Sequence, residues 1–260
     1  MSAKRCAVLV LSCDKYSDLW KPFFLQFKKN FPSINYPLYL GSNHIACDEP
    51  GVTTLFSSED YDWSSSNRKI LSQIPEEVVF VILEDLLLYT PISDSVFKRA
   101  LTFFNDSEAK HLKYWASPKP DQITDNPLFG EYEMGAPFRA TVCGFWDKKY
   151  LMNLLIDGEN PWNFEIHGSY RCSYDKGFYG FMNPLCGYKN MIEKGVWIAS
   201  SVKWALESGI PLELHRRELP KGLAGISSSL KMIYFRAMLS LPWKIRLSIM
   251  NTLRKAFISY

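Results

Sequence analysis

The sequence lacks the features that identify several common classes of enzyme. Its six cysteines include no pair at CxxC spacing, and its four histidines form no ligand pattern with them. We therefore predict neither a disulfide framework nor a zinc site, and a reducing cytosol is the simplest location. The absence of a GxGxxG motif and of a P-loop leaves a dinucleotide enzyme and a P-loop kinase unsupported. No apolar run reaches the roughly 20 residues that a membrane-spanning helix requires.

Acidic residues are missing from the end of the chain. Residues 219–260 contain seven lysines and arginines and no aspartate or glutamate. Subtracting these seven from the 30 basic residues of the chain leaves 23, against 27 acidic residues, in the other 218 positions. An acidic globule thus carries a basic tail, and we predict one domain over residues 1–218 and a helical tail over residues 219–260.

The most informative stretch is VVFVILEDLLLYTP, residues 78–91. Six apolar residues run directly into Glu84 and Asp85, which is typical of a strand buried on both faces. Ligands of open α/β sheets bind beyond the carboxyl ends of such strands. The two carboxylates are either solvated at a turn or, because burial without a cation is costly, part of a site for a metal-bound or polyphosphate ligand.

Strand and helix patterns alternate through the first hundred residues. The predicted strands there are residues 7–12, 36–40, 52–56 and the central strand; the predicted helices are 19–30, a Ser- or Asn-capped helix ending near 74, and 93–105. This order is typical of a Rossmann-like nucleotide-binding half, so the predicted fold class is α/β. Later in the chain we predict strands at 114–117 and 139–146, a helix at 147–155, a long functional loop at 118–137 and a turn at 193–195.

Two apolar stripes with basic flanks run along the tail. They cover residues 230–241 and 245–257, on either side of Pro242. Stripes of this kind are typical of amphipathic helices that lie in the interface of an anionic membrane, which we favour as a partner. The alternative is a helical pair packed against the sheet.

Five segments in this order and spacing carry a resemblance. They are SCDKYSDLW after the first strand, LEDLLLYTPIS after the central strand, FWDKKYLMNLL, GENPWNFEIHGS and EKGVW. Together they resemble bacterial glycosyltransferases with a GT-A-like fold, encoded with lipopolysaccharide O-antigen and capsule assembly enzymes, over most of residues 5–200. The resemblance implies a mixed sheet with a Rossmann-like half. It also implies a cytoplasmic enzyme that moves a sugar from a nucleotide diphosphate donor to a lipid-linked glycan.

The resemblance also implies a donor site. Glu84-Asp85-Leu86 stands where GT-A enzymes carry a DxD-like motif whose acids hold a divalent ion. Asp85 is the predicted ligand and Glu84 the weaker one, because adjacent side chains of an extended chain point apart. Leucine at the third position argues against strong metal dependence. Mg²⁺ or Mn²⁺ is still expected, because such ions can bind through one carboxylate plus substrate phosphates.

Three more residues are predicted at the nucleotide. Ser12 ends the predicted first strand and Asp14 follows it, and Asp14 would meet the uracil or ribose, or else cap a helix. Arg68 would pair with a phosphate or with the Glu84 and Asp85 carboxylates, or else be an exposed helical arginine.

The acceptor hydroxyl needs a general base. Glu165, after the Pro-Trp turn, is the predicted base, with Asp85 as the other catalytic residue; a solvated glutamate at a helix start is the alternative. A base in line with the anomeric carbon would make the reaction inverting, and a retaining mechanism stays open.

Four further residues are predicted to bind the acceptor. Trp146 and Trp162 would stack on sugar faces, although tryptophan is more often a core residue. His167 and Arg171 would neutralise phosphate.

The predicted function is hexosyl transfer from a UDP-sugar to a lipid-linked oligosaccharide by an enzyme peripheral to the inner face of the cytoplasmic membrane. A rival is a non-catalytic nucleotide-sugar-binding or membrane-binding subunit, for which Leu86 is the main argument. Nucleic acid is not an expected partner, because the globule is acidic and the tail stripes suit lipid better than a phosphate backbone.

Overall fold

A nine-stranded sheet forms the centre of the molecule in the computed structural model, which describes residues 4–58, 62–115, 117–219, 237 and 240–257. The strands in chain order are β1 (Cys6–Leu11), β2 (Leu38–Ser42), β3 (Thr53–Phe56), β4 (Val78–Leu83), β5 (Leu86–Leu88), β6 (His111–Lys113), β7 (Gln122–Ile123), β8 (Phe129–Glu131), β9 (Gly144–Asp147), β10 (Phe178–Phe181), β11 (Tyr188–Asn190), β12 (Ile192–Glu193) and β13 (Val196–Trp197). The central sheet has the order β3-β2-β1-β4-β9-β6-β10-β8-β7, and β5 with β11 and β12 with β13 form two small sheets.

Helices connect and cover these strands. They are α1 (Trp20–Asn30), α2 (Trp63–Ser72), α3 (Asp94–Asp106), α4 (Lys148–Leu154), α5 (Pro161–Asn163), α6 (Ser169–Arg171), α7 (Ala199–Glu207) and α8 (Trp243–Phe257). A π-helical turn (Phe164–Gly168) joins α5 to α6, and 3₁₀ turns cover Asp14–Leu19 and Leu214–Arg216.

The first four strands of the central sheet form a Rossmann-like half. They lie side by side in the order β3-β2-β1-β4 and are all parallel. β4 is enclosed by β1 on one side, where Phe80 lies beside Val8, and by antiparallel β9 on the other, where Phe80 faces Phe145. Neighbours on both edges and cover on both faces explain the unbroken apolar run. The predicted fold class, an α/β protein with a Rossmann-like half and a mixed sheet, is confirmed.

Helix α1 shows how an apolar stripe becomes core. Phe23, Phe24 and Phe27 are all buried, and the Phe23 and Phe27 rings stack with centroids 5.5 Å apart. The next ring of the series, Phe31, lies 5.1 Å from Phe97 of α3. These contacts bring α1 and α3 together beside the central strand.

Two strands of the second half differ from prediction. β6 occupies His111–Lys113, ahead of the predicted 114–117, and β9 begins at Gly144 and not at residue 139. The segment before β9 cannot continue the strand, because the buried guanidinium of Arg139 donates to three backbone carbonyls of the turn after α6, at 2.8–3.1 Å. The segment predicted as a strand, residues 139–146, therefore begins with a buried cation, and this cation holds the turn after α6.

Gly144 makes the sharp entry into β9 possible. Its φ is 140°, and a Cβ atom would lie 2.6 Å from the carbonyl oxygen of Leu112 and 2.7 Å from the His111 ring. Glycine is required here because any side chain would collide with β6.

Other local predictions have mixed outcomes. The turn at 193–195 is confirmed by the antiparallel pairing of β12 with β13. Helix α2 is capped by Asp62, whose Oδ1 accepts from the Ser65 amide at 2.9 Å, so the predicted Ser or Asn cap is wrong. The long loop at 118–137 contains the short strands β7 and β8.

Helix α8 lies against the long loop. Trp243 Nε1 and Lys244 Nζ both contact Oε2 of Glu133, at 3.2 and 2.9 Å. Arg246 is buried whereas Ile245 is 51% exposed, so this helix turns a basic residue inward and an apolar one outward. The first tail stripe, at 230–241, lies almost wholly outside the described residues. Within the described ranges, no helix combines the length and the apolar character needed to cross a membrane.

Candidate functional site

Glu84 and Asp85 lie at the carboxyl end of the central strand. Glu84 is buried and Asp85 is partly buried. The carbonyl of Asp85 accepts from the Met191 amide at 2.9 Å, and Leu86 starts β5, where it pairs with Asn190. Strand β11 and Met191 therefore hold the backbone immediately after β4, and the buried Leu86 side chain packs in the core.

Burial controls the acidity of both carboxyl groups. It raises the pKa of Asp85 to about 7, and burial with the neighbouring Asp85 charge raises the pKa of Glu84 well above its usual range. Oδ1 of Asp85 is a buried atom with no hydrogen-bond partner within the described residues. Such an oxygen is energetically costly, and a bound cation would relieve that cost.

A cation from the far end of the domain acts on this pair. Arg217 partly opposes the rise in the pKa of both carboxyl groups. Its Nη2 and Nε donate to the two oxygens of Asp18 at 2.6 and 3.0 Å, with side chains 8% and 1% exposed. The guanidinium lies 4.3 Å from the centroid of the Tyr16 ring. We did not predict Arg217 from the sequence, because its partner lies 199 residues earlier and no local pattern connects them.

Asp14 holds the loop that follows β2. Its Oδ1 accepts from the Ser42 hydroxyl at 2.7 Å and from the amides of Asn43, His44 and Ile45 at 3.0–3.2 Å. Burial opposes its ionisation, but these hydrogen bonds outweigh burial and lower the pKa of Asp14 to about 2. Asp14 is thus an ionised anchor of the sheet edge, at the start of a 3₁₀ turn.

A cavity opens beside this anchor. It measures about 250 Å³ and is lined by Asn43, His44, Phe56 and Ser58, after the carboxyl ends of β2 and β3. Its position matches the edge at which open α/β sheets bind ligands.

Ser12 and Arg68 have partners within the protein. Ser12 Oγ accepts from Trp20 Nε1 at 2.7 Å, at the end of β1. Arg68 Nη1 pairs with Asp157 at 2.6 Å, and its Nη2 donates to the Leu155 carbonyl. The predicted alternative in which Arg68 pairs with the strand-end carboxylates is therefore wrong, because both Nη atoms of Arg68 bind the segment after α4.

Glu165 lies in the π-helical turn between α5 and α6. Its Oε1 accepts from the Val142 amide at 3.1 Å. Burial raises the pKa of Glu165, while this amide and the nearby Lys113 ammonium act in the opposite direction. π-helical turns are rare overall but occur often at functional sites, and this location suits Glu165 as the predicted general base.

The structure brings Asp85 and Glu165 into one electrostatic neighbourhood. Burial raises the pKa of Cys143 and of Tyr188, and the charges of both Glu165 and Asp85 add to the rise in each case. The Cys143 thiol and the Tyr188 phenol are thus each affected by the charges of both carboxylates, although Asp85 and Glu165 lie 80 positions apart in the sequence. Lys113, also unpredicted, is the fully buried cation of this cluster.

The two predicted acceptor tryptophans have opposite environments. Trp146 is fully buried, donates to the Thr141 and Val142 carbonyls at 3.2 and 3.1 Å, and stacks on His111 with centroids 3.9 Å apart. This placement contradicts the predicted contact of Trp146 with an acceptor, because no face of the ring is open. Trp162 is 60% exposed and free to stack on a ligand.

Arg171 and His167 both bind Glu159. Arg171 donates to the two oxygens of Glu159 at 2.7 and 2.8 Å, and to the Leu154 carbonyl. His167 Nδ1 lies 3.2 Å from Oε1 of Glu159, and its side chain is exposed. Arg171 therefore closes the turn around α5 and α6, and His167 is the more available of the two to a ligand.

The strand-end carboxylates fit one mode of metal binding. The described part of the chain holds no cluster of three or more His, Cys, Asp or Glu side chains placed for a metal. The unpartnered Oδ1 of Asp85 nevertheless suits a cation whose other ligands are substrate phosphates and water, as Mg²⁺ commonly binds.

Comparison with known proteins gives limited likenesses. No protein-family model matches the chain, and no curated protein matches it in sequence. Among solved structures it is similar to S. aureus TarS 1-349 in complex with UDP-GlcNAc, at 13% identity over 68% of this chain and 58% of that one, with a TM-score of 0.42. Against the longer TarS structure it covers 36% of that chain, at 12% identity and a TM-score of 0.39.

A third similar structure is the mannosyltransferase PcManGT from Pyrobaculum calidifontis in complex with GDP-Man and Mn²⁺. It is 13% identical over 98% of this chain and 81% of that one, with a TM-score of 0.49. The chain thus spans well under two thirds of TarS, and a function for it rests on its own residues.

Proposed function

We propose that this chain is a glycosyltransferase that moves a hexosyl group from a UDP-sugar to a lipid-linked oligosaccharide, in the assembly of a surface polysaccharide such as an O-antigen or capsule. The observation that carries the proposal is the convergence of Asp85, with its unpartnered buried oxygen, and Glu165 on one cluster. A site that handles a diphosphate and a carboxylate that accepts a proton are the two parts that this transfer needs.

The donor would lie along the carboxyl ends of the Rossmann-like strands. The cavity beside Asp14 would take the base and ribose, since it opens where such sheets bind nucleotides. The diphosphate would then reach Asp85 at the end of β4, which lies beside β1 in the sheet. Arg217, held by Asp18, would supply positive charge close to the leaving group.

Glu165 would act as the general base. The acceptor hydroxyl oxygen forms a bond to the anomeric carbon, its proton passes to Glu165, and the bond from that carbon to the diphosphate breaks with release of UDP. Burial raises the pKa of Glu165 and so brings its basicity nearer to neutral pH. Displacement in line would invert the anomeric configuration, and exposed Trp162 would stack on the acceptor sugar.

A divalent ion, Mn²⁺ or Mg²⁺, would neutralise charge on the departing diphosphate when bound. Asp85 would hold it through Oδ1. Glu84 is the weaker ligand, because its raised pKa favours the protonated, uncharged form.

The donor proposal is tested by calorimetric titration with UDP and GDP, with and without Mn²⁺. We expect UDP to bind, and Asp85→Asn to weaken its binding at least tenfold in the presence of Mn²⁺. Asp125→Asn is the matched control, because it changes an exposed carboxylate of the long loop. Binding that ignores both Mn²⁺ and the Asp85 substitution would remove the metal role, and no nucleotide binding would overturn the donor site.

A second candidate function is a non-catalytic nucleotide-sugar-binding subunit. The observation that favours it is Leu86, which is buried in the small sheet where a third acid would otherwise stand. Such a subunit would bind UDP yet show neither hydrolysis of a UDP-sugar nor transfer. Product analysis over a panel of UDP-sugars separates the two functions.

We also propose that the enzyme is peripheral to the inner face of the cytoplasmic membrane, through the tail of residues 219–260. Support comes from the exposure of Ile245 on α8, beside Lys244, whose side chain is 69% exposed. Flotation with anionic liposomes tests this: Ile245→Asp should reduce co-flotation. Ile156→Asp, which changes an isoleucine of similar exposure on the globule, should leave it unchanged. Equal flotation of both variants and the native chain would contradict the tail as the lipid contact.

A further inference from the structure

Arg246 carries a buried positive charge that stabilises no described part of the fold through a hydrogen bond of its Nη atoms. It lies on α8 and is 4% exposed, yet both Nη1 and Nη2 are buried atoms with no hydrogen-bond partner in the described ranges. Buried guanidinium groups are normally paired with a carboxylate or with carbonyls, because desolvating an unpaired charge is costly. Arg139, which is also buried, follows that rule, whereas Arg246 has no such partner within the described residues.

The unpaired guanidinium lines a cavity. The cavity measures about 220 Å³ and lies between the start of α8 and the long loop at 118–137. Four of its lining residues are prolines, namely Pro118, Pro120, Pro137 and Pro242. Proline has no backbone N–H, so these four residues offer a ligand no backbone donor. Exposed Lys119 also lines the cavity.

A second buried cation lies behind the cavity wall. Lys113 Nζ is 5.5 Å from the ring centroid of Tyr132, a lining residue, and its hydrogen bond to the Phe138 carbonyl is 3.5 Å long. Burial lowers the pKa of Lys113 to about 7, Glu165 opposes that fall, and the charge of Arg246 adds to it. The two cations therefore repel each other in the free protein.

The nearby carboxylates do not complete this site. Asp121 lines the cavity and acts on Arg246 through space, but its Oδ2 accepts from the Glu133 amide at 2.9 Å. Glu133 in turn binds Trp243 and Lys244. An anion of two charges would satisfy the guanidinium fork and remove the repulsion between the cations, whereas a neutral ligand would do neither.

We propose that Arg246, with Lys113 behind it, forms a binding site for a phosphate or diphosphate group in the cavity between α8 and the long loop. A cavity of this size is below the roughly 300–1,000 Å³ typical of sites for drug-sized ligands, and it has room for a compact phosphate or diphosphate group. The cavity shares no lining residue with the nucleotide cavity at Asp14, and Lys113 behind it acts electrostatically on the proposed base, Glu165. The group could belong to a prenyl diphosphate, as in a lipid-linked acceptor, or to a free phosphate compound.

The test is binding of inorganic pyrophosphate to the full chain at constant ionic strength, by calorimetry and by thermal unfolding. Native protein should bind pyrophosphate and unfold at a higher temperature with it. Arg246→Met should weaken binding at least tenfold while leaving the ligand-free unfolding temperature unchanged or higher, because it removes an unpaired buried charge. Lys244→Met removes the same charge from an exposed position on the same helix and should bind like the native chain.

Two further measurements distinguish a lipid diphosphate from a free anion, and the new site from the proposed donor site. Farnesyl diphosphate binding that needs Arg246 identifies a lipid diphosphate, and pyrophosphate binding alone identifies a free anion; both support the site. Asp85→Asn should retain pyrophosphate binding, so the site survives even where the donor proposal fails. Absence of pyrophosphate binding to the native chain, or equal binding by Arg246→Met, overturns the inference. A fall in ligand-free stability in Arg246→Met would assign Arg246 a purely structural role and also overturn it.

Discussion

Asp85 should make the free protein less stable, and replacing it with asparagine should reveal by how much. Its pKa is about 7 in the folded chain, raised by burial from an ordinary value of 3.8. A carboxyl group with a higher pKa in the folded state favours folding at low pH. That contribution disappears as the pH rises, because the unfolded chain ionises first. Asp85→Asn cannot ionise and avoids this loss.

The size of the effect follows from the two pKa values. The difference between 3.8 and about 7, at about 1.4 kcal/mol for each tenfold change in acidity, corresponds to about 4 kcal/mol. Asp85 is only partly buried, so solvent screening reduces the figure, and we expect roughly 2 kcal/mol of extra stability for Asp85→Asn above pH 8. Below about pH 4, where both states are protonated, the gain from this source should vanish.

Urea unfolding at a series of pH values measures this directly. The difference in free energy of unfolding between Asp85→Asn and the native chain should grow between pH 4 and pH 7 and level off above pH 8. Asp125→Asn, at an exposed position, should show no such growth. A pH-independent difference, or a variant less stable than the native chain at pH 8, would refute the placement of Asp85 in a desolvated site.

Three further outcomes are expected. Glu165→Gln should lower kcat roughly 10²–10⁴-fold and leave the affinity for UDP within twofold of the native value. The kcat of the native enzyme should rise with pH through the raised pKa of Glu165, because only the ionised base accepts a proton. A Glu165→Gln variant with native kcat would contradict the role of Glu165 as the base. Asp18→Asn should destabilise the fold by about 3 kcal/mol in urea unfolding, because it leaves Arg217 buried and unpaired, and a loss below about 1 kcal/mol would show that the pair is solvated. Gly144→Ala should cost about 2 kcal/mol or more, seen as a lower Tm, because its φ of 140° and the Leu112 carbonyl leave no room for a methyl group; an unchanged Tm would mean that the turn relaxes.

The succession of strands and helices in the Rossmann-like half was predictable from the sequence because its signals are local. Strands buried on both faces must be apolar throughout, and helix α1 must carry its phenylalanines on one face. The ends of these strands are equally local, so Asp14 and the Glu84-Asp85 pair could be assigned to the same sheet edge. The π-helical turn at Glu165 was not predictable, but the Pro-Trp turn before it pointed to the residue.

The second half was less predictable because its strands are short and depend on distant partners. β9 runs antiparallel between β4 and β6, and its length is limited by Arg139, which bonds to a turn more than 30 residues later. Nothing in the neighbourhood of Arg139 in the sequence signals that contact. Trp146 and Trp162 likewise differ only in burial, which the residue type does not reveal.

The sequence by itself determined the α/β class, the position of the strand-end carboxylates and the difference in charge between residues 1–218 and 219–260, since these follow from periodicity and composition. Only the tertiary structure decided which charges meet. Arg217 pairs with Asp18, Lys113 acts on Glu165, and Arg246 is buried with no hydrogen-bond partner for its Nη atoms among the described residues. Electrostatic energies depend on distance and burial in space, and neither quantity is encoded in the spacing of residues along the chain.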